Sequence, residues 1–117
     1  MSYLQKAKDL YAMINQGQLL EAFEKFYAEN VVMEEAGEAP RVGKEVNREY
    51  EKKFLSMVKE VHGGGVDAFT SDEENGITMV QNWMEVTFAD GNRIKMDQVA
   101  VQKWEGDQIV HEKFYHK

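Results

Sequence analysis

Cysteine is absent from the 117 residues, and proline occurs once, at Pro40. The first absence excludes a disulfide framework and a thiolate zinc site, and nothing points to an oxidising compartment. No apolar run approaches the length of a membrane span. The opening residues Met1-Ser2-Tyr3-Leu4-Gln5-Lys6 carry no signal-peptide core. Together these absences predict a cytoplasmic protein with no membrane contact. Positive charge is also scarce. Fourteen Lys and Arg face 21 acids, for a formal net charge of −7. That sign repels phosphate backbones and argues against a nucleic-acid partner. No repeat, low-complexity tract or linker interrupts the chain, so one domain spanning residues 1–117 is expected. A chain of this length buries about two-thirds of its unfolded surface, enough for a core without a disulfide or metal.

The periodicity of the apolar residues is helical at the start. Ser2 with Gln5 makes a capping-box pattern, and Tyr3, Leu4, Ala7, Leu10, Tyr11 and Ile14 recur at helical spacing up to a stop at Gly17. A second helix carries Leu19, Leu20, Phe23, Phe26 and Tyr27 on one face. Val31 to Glu35 is a short β-prone run, and Ala36 to Val42 reads as a loop. A third helix is predicted from Lys44 to about Glu60, with Val46, Tyr50, Phe54, Met57 and Val58 as its apolar positions.

Beyond that the pattern becomes extended. Asn75-Gly76 and Asp90-Gly91 are hairpin signals, and Gly106-Asp107 is a third turn. Strands are therefore predicted near 60–71, 77–89, 92–104 and 108–115. Gly63-Gly64-Gly65 falls inside the first and predicts a bulge or bend. Helices followed by an antiparallel meander mean an α+β fold. Long antiparallel strands curl, so helices across the concave side should leave a cone with an open end.

The run from Phe26 to Glu35, then Pro40-Arg41-Val42-Gly43-Lys44-Glu45, resembles the helix–strand–loop–helix segment of SnoaL-like proteins of the nuclear-transport-factor-2-like superfamily. The run from Trp104 to Tyr115 is similar to their last hairpin. The resemblance covers nearly the whole chain and implies a conical half-barrel: N-terminal helices packed on a strongly curved, mainly antiparallel sheet. The superfamily holds ketosteroid isomerase, polyketide cyclases, dehydratases and binding domains. The resemblance is therefore specific for fold and not for chemistry.

Strand alternation sorts the candidate cavity residues. The resemblance turns Met33 and Glu35 inward, and the Glu112 face of the last strand likewise. In the strand after Gly76, Val80, Asn82, Met84, Val86 and Phe88 form the expected interior face. The strand 92–104 is ambiguous. Met96, Gln98, Ala100, Gln102 and Trp104 alternate with Asp97, Val99, Val101 and Lys103, and both faces carry apolar groups. Trp83, Val99 and Val101 on the outer face would form an apolar patch, which predicts a homodimer through the convex side of the sheet.

The catalytic candidates are Glu35, His62 and Glu112. An acid at the end of an apolar strand can shuttle a proton. The resemblance to ketosteroid isomerase places a general base at the position of Glu35. A carboxylate at Glu112 could orient His62. Tyr11, Met33, Met84, Met96, Gln98 and Trp104 are the expected ligand contacts, with Tyr11, Gln98 or Asp97 as a hydrogen-bond donor, and Asp97 is similar in local sequence to an aspartate in the isomerase's later strand. No cofactor is expected, and no histidine–acid cluster has metal spacing. Two functional readings stay open. One is a binding module for a small apolar molecule. The other is a cofactor-independent isomerase, cyclase or hydratase acting on a small apolar carbonyl compound.

Overall fold

The computed structural model describes residues 2–116. Its elements run α1 (Tyr3–Asn15), α2 (Leu19–Phe26), β1 (Tyr27–Glu35), β2 (Arg41–Val42), α3 (Lys44–Met57), β3 (Val58–Asp72), β4 (Ile77–Phe88), β5 (Arg93–Glu105) and β6 (Gln108–His116). The strands form one sheet in the order β2-β1-β6-β5-β4-β3. Among the described residues the β1–β6 pair is parallel and the other pairs are antiparallel. The three helices lie on one face of this curved sheet, the α+β cone that the element order predicts.

α1 starts where Ser2 Oγ accepts the Gln5 N–H at 3.0 Å. The capping box is only half formed, because the Gln5 side chain turns to Asp9 instead. Glu73, in the β3–β4 turn, supplies the rest. Its carboxylate accepts the Tyr3 and Leu4 N–H groups at 2.8 and 3.0 Å. The helix dipole favours an anion there, so the first helix is anchored to the hairpin tip. Gly76 completes that tip with φ of +68°, and a Cβ on it would lie 2.9 Å from the Trp104 carbonyl. The core then fills from α1, α2 and the sheet, with Leu10, Phe23, Val31, Val80, Trp104 and Ile109 buried.

Three boundaries and one helix face differ from the sequence pattern. β1 begins at Tyr27, which leaves the helix with φ −105° and ψ 133°. Its ring keeps the apolar spacing of α2, so periodicity alone extends the helix one residue too far. The predicted loop contains β2, which pairs antiparallel with β1 at Val32 and Met33. α3 ends at Met57, and β3 begins at once.

The inward face of α3 is not its apolar stripe. Val46, Tyr50 and Met57 are exposed, while Lys44 and Asn47 are buried. The reason is polar anchoring. Asn47 donates to the Arg41 and Gly43 carbonyls and accepts from Arg41 Nε at 3.1 Å. Lys44 donates to the Glu24 carbonyl at 3.0 Å. These bonds tie α3 to the loop and to α2, and they satisfy backbone oxygens that burial would leave unpaired.

Two bulges set the curvature that matters for the site. In β3 the register jumps between Val61 and Gly63, leaving His62 as the extra residue. Gly63 and Gly65 then lie under the Trp83 ring, where added Cβ atoms would sit 3.2 and 3.0 Å from it. The glycine run is thus a bend and a seat for an indole. In β6, Lys103 pairs with His111 but Trp104 pairs with Ile109, so Val110 is skipped. That bulge puts Ile109, rather than Val110, on the same inner face as Glu112.

Candidate functional site

The concave face of the sheet, α1, α2 and α3 enclose a hollow of about 610 Å3 that opens at one end. β1 brings Met33 and Glu35 to its wall, β4 brings Asn82 and Met84, β5 brings Met96 and Gln98, and β6 brings Glu112 and Phe114. Tyr11 of α1 and Phe23 of α2 face them, and Glu51 and Phe54 come from α3.

Behind this wall one connected hydrogen-bond chain leads to Glu112. Trp104 Nε1 can only donate, and it donates to Thr78 Oγ1 at 2.9 Å. Thr78 must then give its own hydrogen to Gln102 Oε1, at 2.6 Å. This fixes the Gln102 amide with its nitrogen towards Glu112 Oε2, at 2.8 Å. The other carboxylate oxygen of Glu112 accepts the Tyr27 hydroxyl at 2.5 Å. Each step orients the next, and the chain ends on a carboxylate that receives a donor on both oxygens. The Tyr11 hydroxyl oxygen lies beside it, receiving weak contacts from Asn82 Nδ2 at 3.4 Å and Gln102 Nε2 at 3.5 Å.

Glu112 is fully buried. Burial pushes its carboxyl up to about 7. The Tyr27 and Gln102 hydrogen bonds oppose the rise, and the charges of Glu51 and Glu35 add to it. Burial raises both tyrosines well above the ordinary range, and the neighbouring Glu112 charge adds to it in each. Burial likewise pushes Glu51 up to about 7, with Arg41 pulling it down and Glu35 adding to the rise. The site therefore holds two carboxyls that exchange protons near neutral pH.

The predicted residues separate into those brought together and those not. Tyr11, Met33, Met84, Met96, Gln98, Glu35 and Glu112 line the hollow. Gln98 takes the inward place on β5 and donates to Asn82 Oδ1 at 3.2 Å. Asp97 borders the hollow but is exposed and pairs with Trp83, on the strand face opposite Gln98, so alternation outweighs the local likeness to the isomerase strand. Trp104 does not line the hollow. It is buried in the core against Tyr3 and Phe26, with its N–H spent on Thr78.

The expected pairing of His62 with Glu112 is not made. The bulge at His62 turns its ring to Thr87 Oγ1 at 2.6 Å, with Glu60 at 3.8 Å, on the outer face of the sheet. Apolar surroundings for Glu35 do not hold either. Arg41 Nη1 meets its carboxylate at 2.7 Å, and that guanidinium also stacks on the Tyr50 ring at 3.7 Å. Glu51, Tyr27, Thr78 and Gln102 are functional candidates that the sequence reading does not single out. Glu51 had a signal. It lies on the same helix face as Lys44, Asn47 and Phe54, at spacings of three and four, beside the exposed positions Val46 and Met57.

The SnoaL-like domain model matches residues 1–116 of this sequence. The chain belongs to the SnoaL-like family. No curated protein matches it. Among solved structures, this SnoaL-like protein is similar to one from Mesorhizobium loti described as a SnoaL-like polyketide cyclase and carbohydrate phosphatase. The identity is 29% and the TM-score 0.85, over 98% of this chain and 99% of that one. A Bacillus subtilis protein described as an isomerase is 14% identical, with a TM-score of 0.84 over 100% of this chain and 90% of that one. An epoxide hydrolase-like protein of M. tuberculosis is 9% identical, with a TM-score of 0.78 over 98% of this chain and 82% of that one. The two low identities speak for the SnoaL-like fold alone. No helix among the described residues is long and apolar enough to cross a membrane.

Proposed function

We propose that this SnoaL-like protein binds a small, largely apolar molecule in the cone and transfers a proton to or from it without a cofactor. The reaction class is isomerase, cyclase or hydratase. The observation that carries this reading is Glu112, buried at the end of an oriented hydrogen-bond chain, where burial pushes its carboxyl up to about 7. A carboxyl poised at the working pH can be base and acid in one cycle.

Glu112 is fully buried at the wall and held by Tyr27, so the proton travels through Tyr27. A bound molecule gives its proton to the Tyr27 oxygen as Tyr27 gives its own to Glu112 Oε1. Reversing the two transfers returns the proton to another atom of the molecule. Gln102 holds the second carboxylate oxygen and stabilises the charge when it forms. The Tyr11 oxygen is met by amide donors, leaving its hydrogen for an oxygen of the bound molecule. Glu35, bound to Arg41, frames the wall.

Proton exchange into a panel of small ketones and epoxides, followed by NMR in deuterated water, tests this reading. Wild-type exchange should follow Glu112 ionisation, with a midpoint near its value of about 7. Glu112→Gln should lower the rate by about a hundredfold or more. Exchange at the wild-type rate in that variant would sink the proposal. The complete burial of Glu112 favours a second reading, a binding pocket without turnover. In that case compounds raise the melting temperature but never react.

We infer also a homodimer through the convex face. Met79 and Tyr115 are exposed there at 43% and 48%, beside half-buried Trp83, Val99 and Val101. Light scattering coupled to size exclusion should give twice the chain mass of 13.5 kDa. A monomer at micromolar concentration contradicts it.

A further inference from the structure

The proton relay leaves one inward carboxyl unused. Glu51 stands on the inner side of α3, one turn before Phe54, and both line the hollow. Its carboxyl is half-buried and has no hydrogen-bond partner or ion pair among the described residues. Arg41 acts on it only through space, because that guanidinium is taken by Glu35 at 2.7 Å, by Asn47 at 3.1 Å and by the Tyr50 ring. The neighbouring carboxyls make the lack of a counter-charge worse. Glu35 and Glu112 lie on the same wall, and each carries or acquires negative charge. The basic groups nearest the opening do not compensate. Lys95 and His116 border the hollow, but Lys95 lies over the Trp83 ring at 4.9 Å, His116 is exposed, and neither pairs with Glu51 among the described residues.

A desolvated carboxylate without a partner is costly, and a cation placed against it recovers much of that cost. The walls beside Glu51 are suited to a particular kind of cation. Phe54, Phe23 and Tyr11 present aromatic rings to the same space. Aromatic faces attract alkylammonium groups, and they do so more strongly away from water. A bare metal ion would find too few oxygens and too many rings here. A small amine with an apolar body meets both halves of the wall.

We propose that the molecule bound in the cone is an organic cation, a quaternary or protonated amine whose nitrogen pairs with Glu51 and whose alkyl groups pack on Phe54 and Phe23. The proposal rests on the cone being a small-molecule site, and it adds the charge of the molecule. Glu112 moves the proton, and Glu51 anchors the ligand. Anchoring requires Glu51 ionised, so affinity rises with pH across the range where Glu51 loses its proton. The groups that set that range are Arg41 on β2, Glu35 and Tyr27 on β1, Tyr50 on α3 itself and Glu112 on β6.

The test uses two cations and two neutral molecules of matching shape. Choline and benzyltrimethylammonium are compared with 3,3-dimethylbutan-1-ol and neopentylbenzene by titration calorimetry and thermal shift at pH 8. The cations should bind at least about tenfold more tightly than their neutral counterparts. At pH 6 that preference should shrink. Glu51→Gln should lose the cation preference and keep the affinity for the neutral molecules. Its unliganded melting temperature should not fall, because no partner is removed. This separates an anchor from a structural residue. Equal or tighter binding of the neutral molecules overturns the cation proposal while leaving the cone as a small-molecule site. Binding of no cation at millimolar concentration also overturns it. The exchange experiment above then reads the proton-transfer proposal independently. Cation binding unchanged in Glu51→Gln overturns the assignment to Glu51.

Discussion

Tyr27, the first residue of β1, donates its hydroxyl to Glu112 Oε1 of β6 at 2.5 Å, and neither residue is appreciably exposed. The bond crosses the parallel β1–β6 pair of the sheet. It joins a residue at the exit of a helix to one 85 positions later. A buried carboxyl keeps a native charge only where donors surround it, and here Tyr27 and Gln102 are those donors.

Tyr27→Phe removes one of them with little change of shape. The variant should lose about 1–3 kcal/mol of stability in chemical denaturation. The loss should be larger at pH 8, where Glu112 is ionised, than at pH 5, where it is protonated. A loss equal at both values would mean that Tyr27 does not serve the carboxylate.

The pH dependence of stability has a definite sign. The folded values of Glu112 and Glu51 lie at about 7, above the ordinary carboxyl value of 4.5. The native state therefore holds more protons than the unfolded chain between those limits. Stability should fall as pH rises from about 4.5 to 7 and then level off. Each group contributes on the order of 3 kcal/mol to the fall. Thermal melts at pH 5, 6, 7 and 8 check this. Glu51→Gln should flatten the curve, and a curve that rises over the same interval contradicts both assignments.

The Trp83 seat on the convex face gives a packing prediction. Gly65→Ala places a methyl group 3.0 Å from Trp83 Nε1. It should cost about 1–3 kcal/mol and change the near-ultraviolet circular dichroism of the indole. The same change in a Trp83→Ala background should cost much less. Equal costs in both backgrounds would show that the ring does not rest on the glycine.

The fold was legible because its signals are local. Asn75-Gly76 and Asp90-Gly91 announce their hairpins through the positive φ that glycine permits, and strand alternation sets which residues share a face. Parity left strand 92–104 open between Gln98 and Asp97, and the structure sets Gln98 against Asn82 on the inner face. Parity also cannot foresee the extra residues at His62 and Val110, and no local residue type marked the second bulge. The inward face of α3 was illegible for another reason. Hydrophobic spacing reports the face that packs on a core, but α3 packs through Lys44 and Asn47 and lines a hollow with Glu51. A polar inner face and an exposed stripe of Val46, Tyr50 and Met57 invert that rule. The Glu112 partners were hidden by distance along the chain, since Tyr27 and Gln102 meet it only when the sheet forms.

The central claim is that Glu112 exchanges its proton near neutral pH. Carbon-13 NMR of side-chain-labelled glutamate, titrated in the wild type and in Glu112→Gln, measures it directly. The wild type should show one carboxyl resonance, missing from the variant, that titrates with a midpoint of about 7. A Glu112 resonance with a midpoint near the ordinary 4.5 would contradict the account.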